Sequence, residues 1–459
     1  MLGPNHPDWV AGYYGIPEQG SLLCFLNHRL SADELASQIL RADVRLLIGA
    51  HAELASLERR LSSLSRPPQT LSFGSQLDPP DLDQSRGPGS ASWLLFTSGT
   101  TGSPKGALLS ANGLVAALDA SRDARPIEED DIFLFPFPLC HVAGYNVLRL
   151  HRAGRPVVLI DRFEPTAFID AVEREQVTST TLAATMLAAL LDHLGDQPAD
   201  VLRLRTLRTV AYGASPMPAD LLRRVDGLLG VQLTQGYGMT ELSGNAVFLD
   251  ALDHRRGLRD DSSLLAAAGR PGPGVTIELR NDDGERVTSG STGEIFVQAE
   301  QIMLGYLDDA DATSKAIQDG WLATGDVGRI RPDGCLEIVD RVKDIIVTGG
   351  ENVASLEVEV ALRAVCPELS EIAVIGVPDP TWGENVCAVA VLAPGAQLEL
   401  DVIARRLDGH LAGYKIPRHL VLIDAMPLTH SGKVAKAELR SALAAEPHLA
   451  GVRRSSRAI

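Results

Sequence analysis

Residues 97–106 read Thr-Ser-Gly-Thr-Thr-Gly-Ser-Pro-Lys-Gly, and the rest of the chain is read outward from this run. The apolar stretch Ser92-Trp93-Leu94-Leu95-Phe96 before it has the character of a buried strand. Residues 107–113 after it lead into a helical pattern. A strand that empties into Gly, Ser, Thr and one Lys makes a phosphate cradle. Gly99 and Gly102 let backbone N–H groups approach an anion, and the hydroxyls of Thr97, Ser98, Thr100 and Thr101 donate to phosphate oxygens. Lys105 adds a positive charge. The run is not a Gly-x4-Gly-Lys-Ser/Thr loop, because Pro104 precedes the lysine and Gly106 follows it.

The chain of 459 residues is long enough for more than one domain. Its net charge of -17 argues against a nucleic-acid surface, so phosphate-bearing ligands must meet local positive sites. Five cysteines stand at 24, 140, 335, 366 and 387 with no Cys-x-x-Cys pair, which fits a reducing compartment without structural zinc. Cys140 and His141 are sequence neighbours whose side chains diverge on an extended segment, so they do not form a dyad. No run of 18 apolar residues occurs, no signal peptide is recognised, and the expected location is cytoplasmic.

Short apolar runs at 132–135, 157–160, 207–212 and 231–233 alternate with helical patterns such as Thr185–Leu191. That order predicts an α/β fold, a large amino-terminal domain of mostly parallel sheets flanked by helices. From about residue 269 short strands between Gly-rich turns predict a small β-unit. A small α+β carboxyl-terminal domain follows Asp340-Arg341-Val342-Lys343-Asp344. The expected division is 1–342 and 343–459. The polar stretch from Pro67 to Ser90 reads as a surface loop.

Two further strings sit at strand ends, where ligands of open α/β sheets bind. One is Gln235-Gly236-Tyr237-Gly238-Met239-Thr240-Glu241. Its tyrosine offers a flat face to a purine, Thr240 a hydroxyl to a phosphate, and Glu241 a hard oxygen ligand for Mg²⁺. The other is Tyr212-Gly213-Ala214-Ser215, whose small residues let a flat group lie against the backbone.

Together with Trp321-Leu322-Ala323-Thr324-Gly325-Asp326, Thr348-Gly349-Gly350-Glu351-Asn352-Val353 and Pro427-Leu428-Thr429-His430-Ser431-Gly432-Lys433, these strings stand in an order that resembles the adenylate-forming superfamily of acyl-CoA synthetases. The resemblance covers nearly the whole chain, from Asn5 to Lys433. It implies an acid–thiol ligase that uses ATP, Mg²⁺ and CoA to convert a carboxylic acid to an acyl-adenylate and then a thioester. The acid is expected to be aliphatic, with aryl acids second.

The resemblance also implies roles. Lys433, Thr240 and Glu241 are catalytic, with Glu241 on the metal. Thr97, Ser98, Gly99, Thr100, Thr101, Gly102, Lys105, Gly213, Ala214, Ser215, Gln235, Gly236, Tyr237, Asp326 and Arg341 bind the nucleotide. His141, Gly213 and Gly238 line the acyl pocket. Lys343 is the hinge, and Gly349 and Gly350 lie near the thiol entrance. Where the family carries an aromatic-proline pair after this last loop, Ala354-Ser355 stand here. Partners are small molecules, and a homodimer stays open. Two alternatives stand beside this reading: a ligase that loads a carrier protein, and a non-enzymatic adenylate-binding protein.

Members of the superfamily carry several dozen residues ahead of the segment matching Asn5–Gly15. Without them, Ser21–Leu26 is expected to be a strand with an unpaired edge. Residues 9–14 read as helical, and Ser31 with Glu34 reads as a capping box opening the next helix.

Overall fold

The computed structural model describes residues 1–64, 66–75, 90–97, 104–213, 217–281, 283–288, 290–429 and 433–445. The chain falls into two units. The first comprises Met1–Glu278, Phe296–Ala323 and Ile330–Glu337; the second comprises Leu279–Ile295, Thr324–Arg329 and the chain from Ile338 onward.

In the first unit a helix over Pro7–Glu18 starts where its sequence directs. Pro7 occupies a position whose N–H has no helical partner, and His6 Nδ1 accepts from the Asp8 N–H at 3.2 Å. The helix Ala32–Arg41 opens on the reciprocal box: Glu34 N–H donates to Ser31 Oγ at 3.3 Å, and Ser31 N–H donates to Glu34 Oε2 at 2.9 Å.

Between these helices runs β1 (Leu23–Phe25), and further on come β2 (Leu46–Gly49) and β3 (Gln69–Ser72), which pair in parallel. The strand β3 lies inside the stretch read as a surface loop. Its backbone is recruited by β2, a long-range pairing that local polarity does not announce. Leu2 bridges Leu26 and Gly49, both in the parallel sense. Leu2 N–H donates to Ile48 O at 2.9 Å, and Leu26 N–H to Met1 O at 3.0 Å. The side of β1 expected to be unpaired therefore carries backbone bonds at this end.

On its other side β1 pairs with β4 (Ala91–Thr97), which forms an antiparallel pair with β5 (Lys105–Ser110). The phosphate-cradle string thus joins two strands, and the helix Ala111–Ala120 starts only after β5. Residues 107–113 do lead into a helix, and those before Ala111 belong to β5. Leu109 and Ala107 are fully buried in the sheet, and that burial overrides helix propensity.

A seven-stranded sheet follows: β6 (Phe133–Phe135), β7 (Val157–Leu159), β8 (Ser179–Leu182), β9 (Thr209–Gly213), β10 (Gln232–Met239), β11 (Gly244–Leu249) and β12 (Arg270–Pro271). Its order is β12-β11-β10-β9-β8-β6-β7. The pairs from β7 to β10 are parallel, and β11 and β12 add antiparallel strands. One face packs Leu134, Leu182, Val210 and Leu233 against helical residues such as Phe168 and Leu222. Each such fully buried side chain stabilises by roughly 1.5–3 kcal/mol.

The strands β13 (Thr276–Arg280), β14 (Thr292–Gln298), β16 (Ile317–Gln318), β17 (Trp321–Ile330) and β18 (Leu336–Arg341) form a small sheet whose residues are divided between the units. The two-residue β15 (Gly305–Tyr306) instead pairs antiparallel with β5.

In the second unit β19 (Ile346–Thr348), β20 (Glu351–Val353), β21 (Leu369–Asp379), β22 (Gly383–Leu392) and β23 (His419–Leu422) form a sheet in the order β20-β19-β22-β21, with β23 on β22. Alternate residues of β21 enter opposite cores. Ile372 and Val374 pack with Val358 and Ile403, while Ala373 and Ile375 pack with Leu439 and Leu443. Both faces are covered, so this strand reads as a continuous apolar run. Among the described residues no helix is long and apolar enough to cross a membrane.

Candidate active site

The glycine-rich string 235–239 is not a turn. It is the second half of β10, paired with β9 on one side and β11 on the other. Glycine is required there by close approach. A methyl group on Gly213 would overlap the Gly236 carbonyl oxygen, and one on Gly238 would overlap the carbonyl oxygen of Gly244. The register shifts between Tyr237 and Gly238, and the strand ends in a single 3₁₀ turn over Thr240–Leu242. That turn presents Glu241.

A three-part constellation forms around Glu241 inside the first unit. Tyr306 Oη donates to Glu241 Oε1 at 3.0 Å. The Lys105 Nζ stands 5.1 Å from the centre of the Tyr306 ring, a cation–π distance. The backbone fixes all three. Thr97 and Lys105 are register partners at the open end of the β4–β5 pair. Tyr306 is opposite Ala107 of β5, and its N–H donates to Thr313 Oγ1 at 2.9 Å. Met303 N–H donates to the Glu241 carbonyl at 2.8 Å. Burial, and then the Glu241 charge, raise the Tyr306 phenol well above the usual range. Tyr306 therefore stays a neutral donor.

His141 is half-buried at the start of the turn Val142–Gly144. Burial, helped by Arg29 and His28, pulls its pKa down to about 4, so the ring is neutral near pH 7. Cys140 beside it is pushed up to about 12 by burial and is no nucleophile. All five cysteines are buried and unpaired.

The second unit holds Asp326, Arg341, Lys343, Gly349, Gly350 and Lys433. Asp326 is 5% exposed, and Arg341 Nε lies 3.1 Å from its Oδ1. Its N–H donates to Thr324 Oγ1 at 3.1 Å, and that hydroxyl in turn donates to Ile295 O at 2.9 Å. Lys343 is exposed in the 3₁₀ turn Val342–Asp344 that follows Arg341. Next to it, Asp344 pairs with Arg440 at 2.9 Å. Gly349 and Gly350 turn the chain from β19 to β20 at φ of +61° and +83°. Lys433 is exposed, and its N–H donates to Thr429 Oγ1 at 3.1 Å.

Of the residues read from sequence, Ser98, Gly99, Thr100, Thr101, Gly102, Ala214 and Ser215 lie outside the described residues. Thr97 is the register partner of Lys105, and Lys105 and Glu241 are linked through Tyr306, which the sequence reading did not single out. The missed signal is the Gly305-Tyr306 pair, where Gly305 at φ +147° marks a special backbone position. Among the described residues no group of three or more His, Cys, Asp or Glu could hold a metal ion. A single carboxylate such as Glu241 fits Mg²⁺, which takes most of its ligands from phosphates and water.

The structure thus brings Lys105, at the end of the phosphate-cradle string, and the oriented carboxylate of Glu241 to one place through Tyr306. The chain belongs to the AMP-binding enzyme family. That family's model matches residues 1–307, and the model of the AMP-binding enzyme C-terminal domain matches 357–433. The chain is 35% identical to a feruloyl-CoA synthase of Amycolatopsis sp. over 96% of this chain and 87% of that one. It is 32% identical to the fatty acid–[acyl-carrier-protein] ligase ScoC of Streptomyces coeruleorubidus over 96% of this chain and 85% of that one. An o-succinylbenzoate coenzyme A synthetase from Bacillus subtilis, solved with ATP and magnesium ion, superposes with a TM-score of 0.82 at 27% identity, covering 96% of this chain and 88% of that one. The chain is an acid–thiol ligase of the AMP-forming class, a class that works with ATP, Mg²⁺ and CoA.

Proposed function

We propose that this enzyme activates a carboxylic acid as its acyl-adenylate and then passes the acyl group to the thiol of CoA. A carboxylate resists attack by a thiol because its oxide is a poor leaving group. In the first step a substrate carboxylate oxygen attacks the α-phosphorus of ATP, and pyrophosphate leaves. In the second the CoA thiol, losing its proton, attacks the acyl carbon, and AMP leaves.

The first step asks for positioning and charge balance rather than covalent help. Lys433 is assigned to the charge on the carboxylate and the α-phosphate, and Lys105 and Thr240 to the phosphates. Glu241 would hold Mg²⁺, which when bound neutralises triphosphate charge. Tyr237 offers its ring to adenine, and Asp326 with Arg341 takes the ribose hydroxyls. Gly213 and Gly238 line the acyl side, near His141. The small domain from Lys343 onward turns about that residue between the two steps.

The observation that carries this reading is Glu241 held by the neutral Tyr306 hydroxyl beside Lys105, at the end of a strand too crowded for side chains. The similarity to the carrier-protein ligase ScoC supports a second reading, in which the acceptor is a protein-bound pantetheine. The test is ATP–pyrophosphate exchange over a panel of acids, followed by addition of free CoA. Exchange and thioester are expected. Exchange without thioester moves the acceptor to a carrier protein, and no exchange with any acid removes the ligase reading.

The same assay tests Lys433. Lys433→Ala is expected to lower adenylation by on the order of 10² or more, the range for one lost transition-state contact. It should still convert supplied acyl-adenylate and CoA to thioester. Equal loss in both half-reactions contradicts the role given to this lysine.

A further inference from the structure

Gly236 lies in β10 opposite Gly213 and two residues from Gly238, the glycines assigned to the acyl side. The hollow left by its missing side chain is lined by polar groups. A Cβ there would sit 2.7 Å from Arg125 Nη2, and closer still to the side-chain amide of Asn245. Thr234, two residues back on the same strand face, is 2% exposed, and its Oγ1 has no hydrogen-bond partner.

Arg125 itself is 4% exposed. Its Nη1 reaches Tyr145 Oη only at 3.5 Å, and its guanidinium faces the Phe248 ring at 5.6 Å. Its Nε has no partner, and among the described residues no carboxylate pairs with it. A neighbouring cation makes matters worse. Arg149 Nη1 donates to the Arg125 carbonyl at 2.7 Å, and the Arg149 Nε is also buried without a partner. Burial, and then the Arg125 charge, hold the Arg149 guanidinium down to a pKa of about 10.

A buried guanidinium needs a carboxylate or several oxygen acceptors to offset its lost hydration. The protein supplies one distant hydroxyl and one aromatic face. Elsewhere in the first unit it does supply the carboxylates: Arg208 is met by Asp130 at 2.7 Å, and Arg203 by Asp170, Glu173 and Asp200. The deficit at Arg125 is therefore local, and it lies against Gly236, between the nucleotide side of β10 and the acyl-side glycines Gly213 and Gly238.

We propose that Arg125, with Asn245, reads an oxygen-bearing group at the far end of the acid substrate. The substrate class is then a carboxylic acid that carries a second acceptor, a carboxylate foremost, and not a plain hydrocarbon acid. The inference rests on the ligase reading above and on Gly213 and Gly238 lining the acyl side. It replaces the expectation of an unadorned aliphatic chain. Such recognition discriminates strongly, because a substrate lacking the acceptor leaves buried donors unpaired.

The test is pyrophosphate release with matched pairs of aliphatic and aryl acids, each monoacid beside its counterpart bearing a terminal carboxylate, ketone or hydroxyl. The intact enzyme is expected to favour the acceptor-bearing partner by about tenfold or more in kcat/KM. Arg125→Met should abolish that ratio, mainly through KM, while turnover of the plain acid is kept or raised. Arg125→Lys should retain part of it. Asn245→Leu, which leaves the guanidinium in place, should lower the same ratio and serves if Arg125→Met does not fold. Equal use of both partners by the intact enzyme overturns the proposal. So does a ratio that survives Arg125→Met or Asn245→Leu, since the side chain replaced would then read nothing on the substrate. Silence with every acid is a different failure, that of the ligase reading itself.

Discussion

Each unit carries one carboxylate assigned to the nucleotide, and the two are held in opposite ways. Glu241 in the first unit receives a hydrogen bond from a neutral phenol at 3.0 Å. Asp326 in the second has a guanidinium nitrogen at 3.1 Å and is nearly buried. A neutral donor orients a carboxylate without bringing an opposite charge to it, which suits the group assigned to a divalent cation. A guanidinium largely neutralises its partner, so Asp326 is suited to accept from hydroxyls rather than to hold a metal.

Glu241→Gln should break the comparison most severely. It keeps the size and the bond from Tyr306 but removes the charge. Adenylation is expected to fall by on the order of 10²–10³, the range for a lost electrostatic contact in a transition state. Excess Mg²⁺ should recover little of it. A near-normal rate would mean that Glu241 is not the metal carboxylate.

Asp326→Asn should act differently, through nucleotide affinity. It leaves Arg341 without its anion and weakens acceptance from the ribose. The KM for ATP is expected to rise by about tenfold, with kcat changed less. A fall in kcat at unchanged KM would contradict the ribose role.

Tyr306→Phe removes one neutral hydrogen bond, worth about 0.5–1.5 kcal/mol, or roughly 2- to 12-fold. The loss should appear as a higher Mg²⁺ concentration at half-maximal rate. In Mg²⁺-free protein the variant should also bind Mn²⁺–ATP more weakly in a direct titration. If instead kcat falls at saturating Mg²⁺ and binding is unchanged, Tyr306 does not act through Glu241.

The smallest effect concerns His141 and the pH. Its folded pKa of about 4 lies below the ordinary histidine value near 6.5, so the fold favours the neutral ring. That contribution is fully present above about pH 6.5 and is lost as the pH falls toward 4, where the unfolded chain binds the proton first. Melting temperatures at pH 7.5 and 5 should therefore differ more in the natural protein than in His141→Gln. Equal differences would place the low-pH sensitivity in other groups.

The contrast between the units also marks what the sequence discloses. Asp326 and Arg341 stand in two strings whose order resembles a superfamily, and the structure pairs them. Short apolar runs such as Phe133–Phe135 and residues 372–377 are strands for the reason their pattern gives: burial on both faces. The strand character of Gly236–Met239 is not visible locally, because glycine disfavours strands unless neighbours on both sides supply the ladder. Lys105–Ser110 follows the same logic, since β4 and β15 claim its backbone. Tyr306 and Glu241 are 65 positions apart, and Arg125 is 111 positions before Gly236; no spacing rule links either pair. Such partners appear only once the sheets have set the register.

The five cysteines, all buried, leave the surface silent toward thiol reagents. One exposed glutamate in each unit, Glu58 and Glu351, could then be exchanged for cysteine without background labelling. A donor and an acceptor dye at those two sites would follow, molecule by molecule, how the turnover cycle distributes its dwell times.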